Sequence, residues 1–249
     1  MKASQKTEST VVIEELKVGK ATVWIKGITP YIYNTMSEKS KHDLLFPKGR
    51  KTTAEKEQNL KHNPIEEYRG SVYRFSNGIR SLSIPAAQFK AAMMNAALEI
   101  PGAKKSQVGK LVWVDSSDML QMYGIPKLKM DVVRSADIGR TPDVRTRAIL
   151  PQWCCKIELN YVKPTINETT LSRLVQIAGL IIGVGDYRQE KGKGNFGQFE
   201  ISTEEACKEI VASGNPQAQV AALDNPTCYD VESEKLYAWY QDERKKRGK

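Results

Sequence analysis

LIIGVGDYRQEKGKGNFGQFEI, residues 180–201, runs from an apolar segment end through Gly183, Gly185, Gly192, Gly194 and Gly197 into a strand-like tail. Its GKGNFG core satisfies G-x-G-x-x-G, the phosphate-cradling pattern of dinucleotide folds and of the kinase glycine-rich loop. Three observations exclude those readings. The chain after Gly197 holds neither the catalytic loop nor the magnesium-binding Asp-Phe-Gly that a kinase needs. A dinucleotide fingerprint opens a helix, whereas QFEI is strand-like. A Walker loop needs Ser or Thr after its lysine, and Gly194 follows Lys193.

Other chemistry is available to the segment. Glycines allow close backbone approach, and amides exposed in such a loop can face phosphates. Arg188, Lys191 and Lys193 supply charge, while Tyr187 and Phe196 offer faces on which unpaired bases stack. The alternative is a helix-to-strand connection rich in glycine with ordinary surface charge.

Working outward, residues 168–178 carry an apolar stripe of Leu171, Leu174, Val175 and Ala178, with Thr165-x-x-Glu168 as a capping box and an end at Gly179 or Gly183. Before it, WCCKIELNY (153–161) alternates Trp153, Cys155, Ile157, Leu159 and Tyr161 against polar neighbours, the period of a half-buried strand. A helix opening at Ile84-Pro85 repeats Phe89, Ala92, Met93, Ala96, Ala97 and Ile100 at helical spacing, with Pro85 in its first turn. ATVWIKGI (21–28) reads as a strand ending in the Thr29-Pro30 turn. Strand, helix, loop and strand after Trp153 match the second half of a ferredoxin-like unit. The expected fold is α+β, with an antiparallel sheet covered by helices on one face. The expected division is a domain over 11–201, with a basic insertion at about 35–65 and a hairpin or thumb-like insertion at about 120–150. A helical extension with two helices, in STEEACKEIVAS and ESEKLYAWYQDE, occupies 202–249.

The 249 residues are 40% hydrophobic, enough for a normal core, and 38 Lys and Arg against 29 Asp and Glu leave a net charge of +9 that favours anionic partners. No leader-like apolar run follows the N-terminal basic residues, and no stretch is long enough to span a membrane, so a cytoplasmic location and no membrane partner are expected. Cys154, Cys155, Cys207 and Cys228 form no C-x-x-C pair and are read as reduced thiols; neither a metal nor a cofactor is expected.

Three stretches in order resemble the RAMP superfamily, the ferredoxin-like RNA-binding proteins of CRISPR systems. Thr29-Pro30-Tyr31-Ile32 is similar to the T-P-L-hydrophobic turn after their first strand. Ser83 to Ala92, SIPAAQFKAA, is similar to the I-P-G-S-S-hydrophobic-K-G motif of the backbone subunits, with Ala86-Ala87 in place of Gly-Ser and Ala91 in place of Gly. The segment 183–200 resembles their C-terminal glycine-rich loop. The chain also looks like solitary phage-encoded proteins with this domain. The resemblance implies binding of single-stranded RNA or DNA, with Lys90 joining the loop residues. It also implies head-to-tail self-association along the strand or assembly with other subunits of a nucleoprotein complex.

Arg134, Arg140, Arg145 and Arg147 form a second basic cluster whose functional reading is a hairpin over the nucleic-acid groove with arginines on phosphates, and whose plain reading is an exposed hairpin with mixed ion pairs. Some RAMP proteins cut RNA, and Asp43, the only Asp between Tyr31 and Ile84, is the catalytic candidate. A solvated loop carboxylate is the better reading of Asp43, and His42 and His62 read as surface histidines. The expectation is a binding protein without catalysis.

Overall fold

The computed structural model describes residues 15–36, 38–46, 60, 62–75, 81–115, 118–134, 142–191 and 194–248. The first strand, β1 (Lys17–Gly27), turns Gly19, Ala21, Val23 and Ile25 inward and Lys20, Thr22, Trp24 and Lys26 outward, the period of two expected of a strand. It pairs antiparallel with β9 (Cys154–Lys163) on one side and with β10 (Phe199–Ser202) on the other. On the far side of β9 lie β5 (Val112–Val114) and β6 (Met119–Tyr123), and β6 leads on through β4 (Leu82–Pro85) to β3 (Tyr73–Arg74). In chain order the core strands β1, β5 with β6, β9 and β10 lie as four, one, three, two, the ferredoxin-like arrangement.

Two helices cover the inner face. Helix α3 (Ala86–Ala96) buries Phe89, Ala92, Met93 and Ala96, and α5 (Glu168–Ile177) buries Leu171, Leu174 and Val175. A π turn over Ala178–Ile182 ends α5 at Gly183. The aromatic core is continuous, from Phe89 edge-on to Phe199 at 5.5 Å, through Trp153 at 6.4 Å, to Tyr31 at 5.6 Å and Tyr33 at 4.9 Å. Such edge-on and tilted pairs add to plain area burial.

Two local expectations are corrected. The cap of α5 is Asn167, whose side chain accepts from the Thr170 amide at 2.8 Å, and not Thr165. An asparagine adjoining the first helical residue is placed to meet an orphan N–H that a residue further out cannot reach. Pro85 closes β4 and caps α3 from outside rather than sitting in the first turn.

A second sheet of three strands orders as β2 (Tyr31–Ile32), β8 (Pro142–Leu150) and β7 (Lys127–Arg134), with β7 and β8 forming a long antiparallel ladder. The insertion after β2 contains helix α1 (Glu38–Leu45), and α2 (Pro64–Gly70) precedes β3. Helix α4 (Lys105–Leu111) leads into β5.

The segment after β10 forms three helices, α6 (Glu204–Ser213), α7 (Pro216–Asp224) and α8 (Val231–Lys246), one more than expected. None stands apart from the core. Cys207 and Ile210 of α6 pack with Cys154, Trp24 and Tyr123 on the outer face of the main sheet. From α7, the buried Gln219 accepts from the Leu82 amide at 2.8 Å and donates to the carbonyls of Met122 at 2.8 Å and Gly124 at 3.2 Å. Ser233 of α8 accepts from the Met130 amide at 2.9 Å. Among the described residues no helix is long and apolar enough to cross a membrane.

Candidate nucleic-acid interface

The three sequence motifs converge. The loop after the π turn consists of two runs, 183–188 and 194–198, lying against each other, with the Val184 amide donating to the Gly197 carbonyl at 2.9 Å. The Thr29-Pro30 turn holds the second run: the Gly197 amide donates to Pro30 O at 2.8 Å and the Gln198 amide to Thr29 Oγ1 at 2.9 Å. The Asp186 amide donates to Ile32 O at 3.0 Å, and Gln88, in the first turn of α3, accepts from the Gly185 amide at 3.0 Å. Asn95, two turns along α3, donates to Glu190 at 2.5 Å.

This geometry corrects the expected use of the glycines. The amides of Gly183, Gly185 and Gly197 are bonded inside the protein, to Ala178 O, Gln88 Oε1 and Pro30 O, and do not face a ligand. The four described candidates, Gly183, Gly185, Gly194 and Gly197, are buried. The close approach of the two runs is the requirement: a Cβ on Gly197 would overlap Val184 O, and one on Gly194 would overlap Tyr187 O. Gly192 lies outside the described residues.

What the loop displays is an aromatic pair. Tyr187 is 50% exposed and its ring lies 6.1 Å from that of the half-buried Phe196, tilted by 42°. Among the described residues Tyr187 is the one non-glycine residue with positive φ, at 52°. A bulky side chain in that region is an outlier that the surroundings must impose. Here the Asp186 side chain accepts from the Tyr187 amide at 2.9 Å, and Gly194 abuts the Tyr187 carbonyl.

The predicted cations divide. Arg188 is committed inward, to Glu190 at 2.8 Å and to Gly185 O at 3.1 Å, so it braces the loop and is not an open phosphate ligand. Arg147 is likewise corrected: its side chain is 13% exposed and its guanidinium bonds Asp186 and, at 3.5 Å, Asp131. Lys129 bonds Asp131 at 2.8 Å and Asp230, the cap of α8, at 3.2 Å. Five alternating charges, Asp186, Arg147, Asp131, Lys129 and Asp230, thus join the glycine loop to the hairpin and the last helix. Burial pulls the Lys129 ammonium down, but its bonds to Asp131 and Asp230 outweigh that and hold it above its ordinary range. Lys90 is half-buried on α3, and Arg134 and Arg145 are exposed on β7 and β8. Arg140, Lys193 and the Lys191 side chain lie outside the described residues, as does the Asp43 side chain, although Asp43 falls within α1.

Sequence reasoning passed over Asp186, Gln88 and Glu190, each a polar residue within a recognised motif. It also read His62 as a surface residue, whereas its ring is held between Glu67 on Nδ1 and Asp143 on Nε2, each at 2.9 Å.

No protein-family model matches the chain, and no curated protein matches it. Among solved structures, it is similar to a chain of the type III-B Cmr-beta complex bound to cognate target RNA, at 14% identity and a TM-score of 0.35 over 75% of this chain and 60% of that one. It is also similar to Cmr6 from Pyrococcus furiosus, at 10% identity and a TM-score of 0.37 over 75% of this chain and 98% of that one.

Proposed function

We propose that the chain binds single-stranded nucleic acid, RNA ahead of single-stranded DNA, by stacking bases on Tyr187 and Phe196. It does so without cutting the strand and as successive copies along it. The observation that carries the reading is the strained, half-exposed Tyr187 on a loop whose backbone is already bonded on both sides. A rigid aromatic platform suits unpaired bases, because every base has a π-face. Exposed Arg134 and Arg145 and the net charge of +9 supply attraction for phosphates. The RNA preference, the self-association and membership of a larger nucleoprotein complex rest on the motif resemblance to RAMP proteins.

Tyr187→Gly separates platform from connection. Releasing the left-handed backbone recovers about 1–2 kcal/mol, and glycine's greater entropy cost returns about 0.5–1 kcal/mol. Thermal melting should therefore move little. Affinity for oligouridylate, measured by fluorescence anisotropy, should fall by about 5- to 150-fold, the worth of one stacked base at about 1–3 kcal/mol. An unchanged affinity makes the loop a connection only.

End-labelled RNA incubated with the protein, with and without magnesium, should stay intact, and Asp43→Ala should behave as wild type. Discrete fragments that disappear in the mutant would replace this reading with that of an endoribonuclease.

A further inference from the structure

An open cleft with a volume of about 280 Å³ lies between the residues that precede α2 and the second half of α8, lined by Leu60, His62, Asn63, Tyr240 and Arg244. Its polar atoms are mostly committed. Both His62 ring nitrogens face carboxylates, Glu67 and Asp143, and the Tyr240 hydroxyl donates to Asn63 Oδ1 at 3.3 Å. What remains for an occupant is a set of donors, the Asn63 side-chain NH2 and the Arg244 guanidinium, beside an aromatic ring and the Leu60 side chain. Arg244 is exposed, and among the described residues no carboxylate pairs with it. It opens the basic last turn of α8, followed by Lys245 and Lys246. The Tyr240 ring is stacked on Tyr237 at 6.2 Å and 20°, which fixes its plane. Burial pushes the Tyr240 phenol above its ordinary range, with the Arg244 charge opposing and the Glu66 and Glu67 charges adding to the rise.

We propose that this cleft seats one nucleoside monophosphate unit, its base against Tyr240 and the Asn63 amide and its phosphate on Arg244. A flat ring with acceptor oxygens and an anionic end fits an aromatic wall flanked by donors and a cation. The volume of about 280 Å³ lies just under the roughly 300–1,000 Å³ of drug-sized ligand sites, the scale of a single nucleotide. The proposal does not depend on strand binding at Tyr187.

Titration calorimetry of the full chain with uridine 5′-monophosphate, uridine and inorganic phosphate tests it. The monophosphate should bind at least about tenfold more tightly than phosphate alone, as expected if the base contributes a stacked contact. Arg244→Ala removes an exposed side chain and leaves the fold intact. It should weaken the monophosphate by about 10- to 100-fold, the range of a charge-assisted bond, and leave uridine unchanged. Tyr240→Phe keeps the ring and frees Asn63 Oδ1, and should change the preference among uridine, cytidine and adenosine monophosphates without moving the melting temperature. If oligouridylate also loses affinity in Arg244→Ala, the occupant is a nucleotide of a strand; if only the monophosphate does, it is a free nucleotide. Absence of monophosphate binding at millimolar concentration, or equal affinity in wild type and Arg244→Ala, overturns the assignment.

Discussion

Gly197→Val should cost more stability than any other single change considered for this protein. The backbone there has φ of 74°, which a β-branched residue does not adopt, and the new Cβ would fall on the Val184 carbonyl oxygen. The two runs of the loop would have to part, releasing the Val184 bond to Gly197 O and the Gly197 bond to Pro30 O. Strain and two lost main-chain bonds together are worth about 4 kcal/mol or more. Urea unfolding should show that loss, and melting should fall by about 10 °C, given about 2–4 °C per kcal/mol for a domain of this size. Gly197→Ala should be nearly as damaging, because the overlap arises at Cβ itself. An alanine variant within about 1 kcal/mol of wild type would show that the runs separate freely, against the ordinary cost of such overpacking.

Gln219→Leu should have the next largest effect. Leucine fits the volume but offers no polar atom, so the Leu82 amide and the carbonyls of Met122 and Gly124 lose their partner inside the protein. A buried group left unsatisfied costs about 1–3 kcal/mol, and three of them, the Gly124 bond being the longest, come to about 3–6 kcal/mol. Hydrogen exchange gives a local readout: the Leu82 amide should lose its protection selectively, whatever happens to overall stability. Unchanged protection at Leu82 would mean that the amide has another partner and that α7 merely rests on the sheet.

The order of the core was legible because each element announces itself locally. Thr29-Pro30 ends a strand, Pro85 precedes a helix, and the alternation around Cys155 to Tyr161 has the period of a strand. The purpose of the glycines was not legible in the same way. That Gly197 meets Val184 and Gly194 meets Tyr187 depends on how a loop folds back on itself, which no local period encodes. Nor does sequence separate Arg147 from Arg145. Two residues apart on β8, they share one face of the strand, and only the packing of Asp131 and Asp186 engages Arg147 as an ion-pair partner and leaves Arg145 exposed. Helix α7 was missed because PQAQVAALD has no apolar stripe, although Asn215-Pro216, a cap followed by a first-turn proline, marked its start.

The position of β1 bears on how the chain is made. Its neighbours are β9 and β10, so Trp24, near its end, waits for Lys156 on one side and Ser202 on the other. At about 5–20 residues per second, a ribosome leaves that strand without either partner for on the order of ten seconds. Throughout that interval Val23, Trp24 and Ile25 are present on the nascent chain with open edges on both sides. The hazard of pairing with another chain is therefore greatest during synthesis, before this interior strand of the sheet can be enclosed.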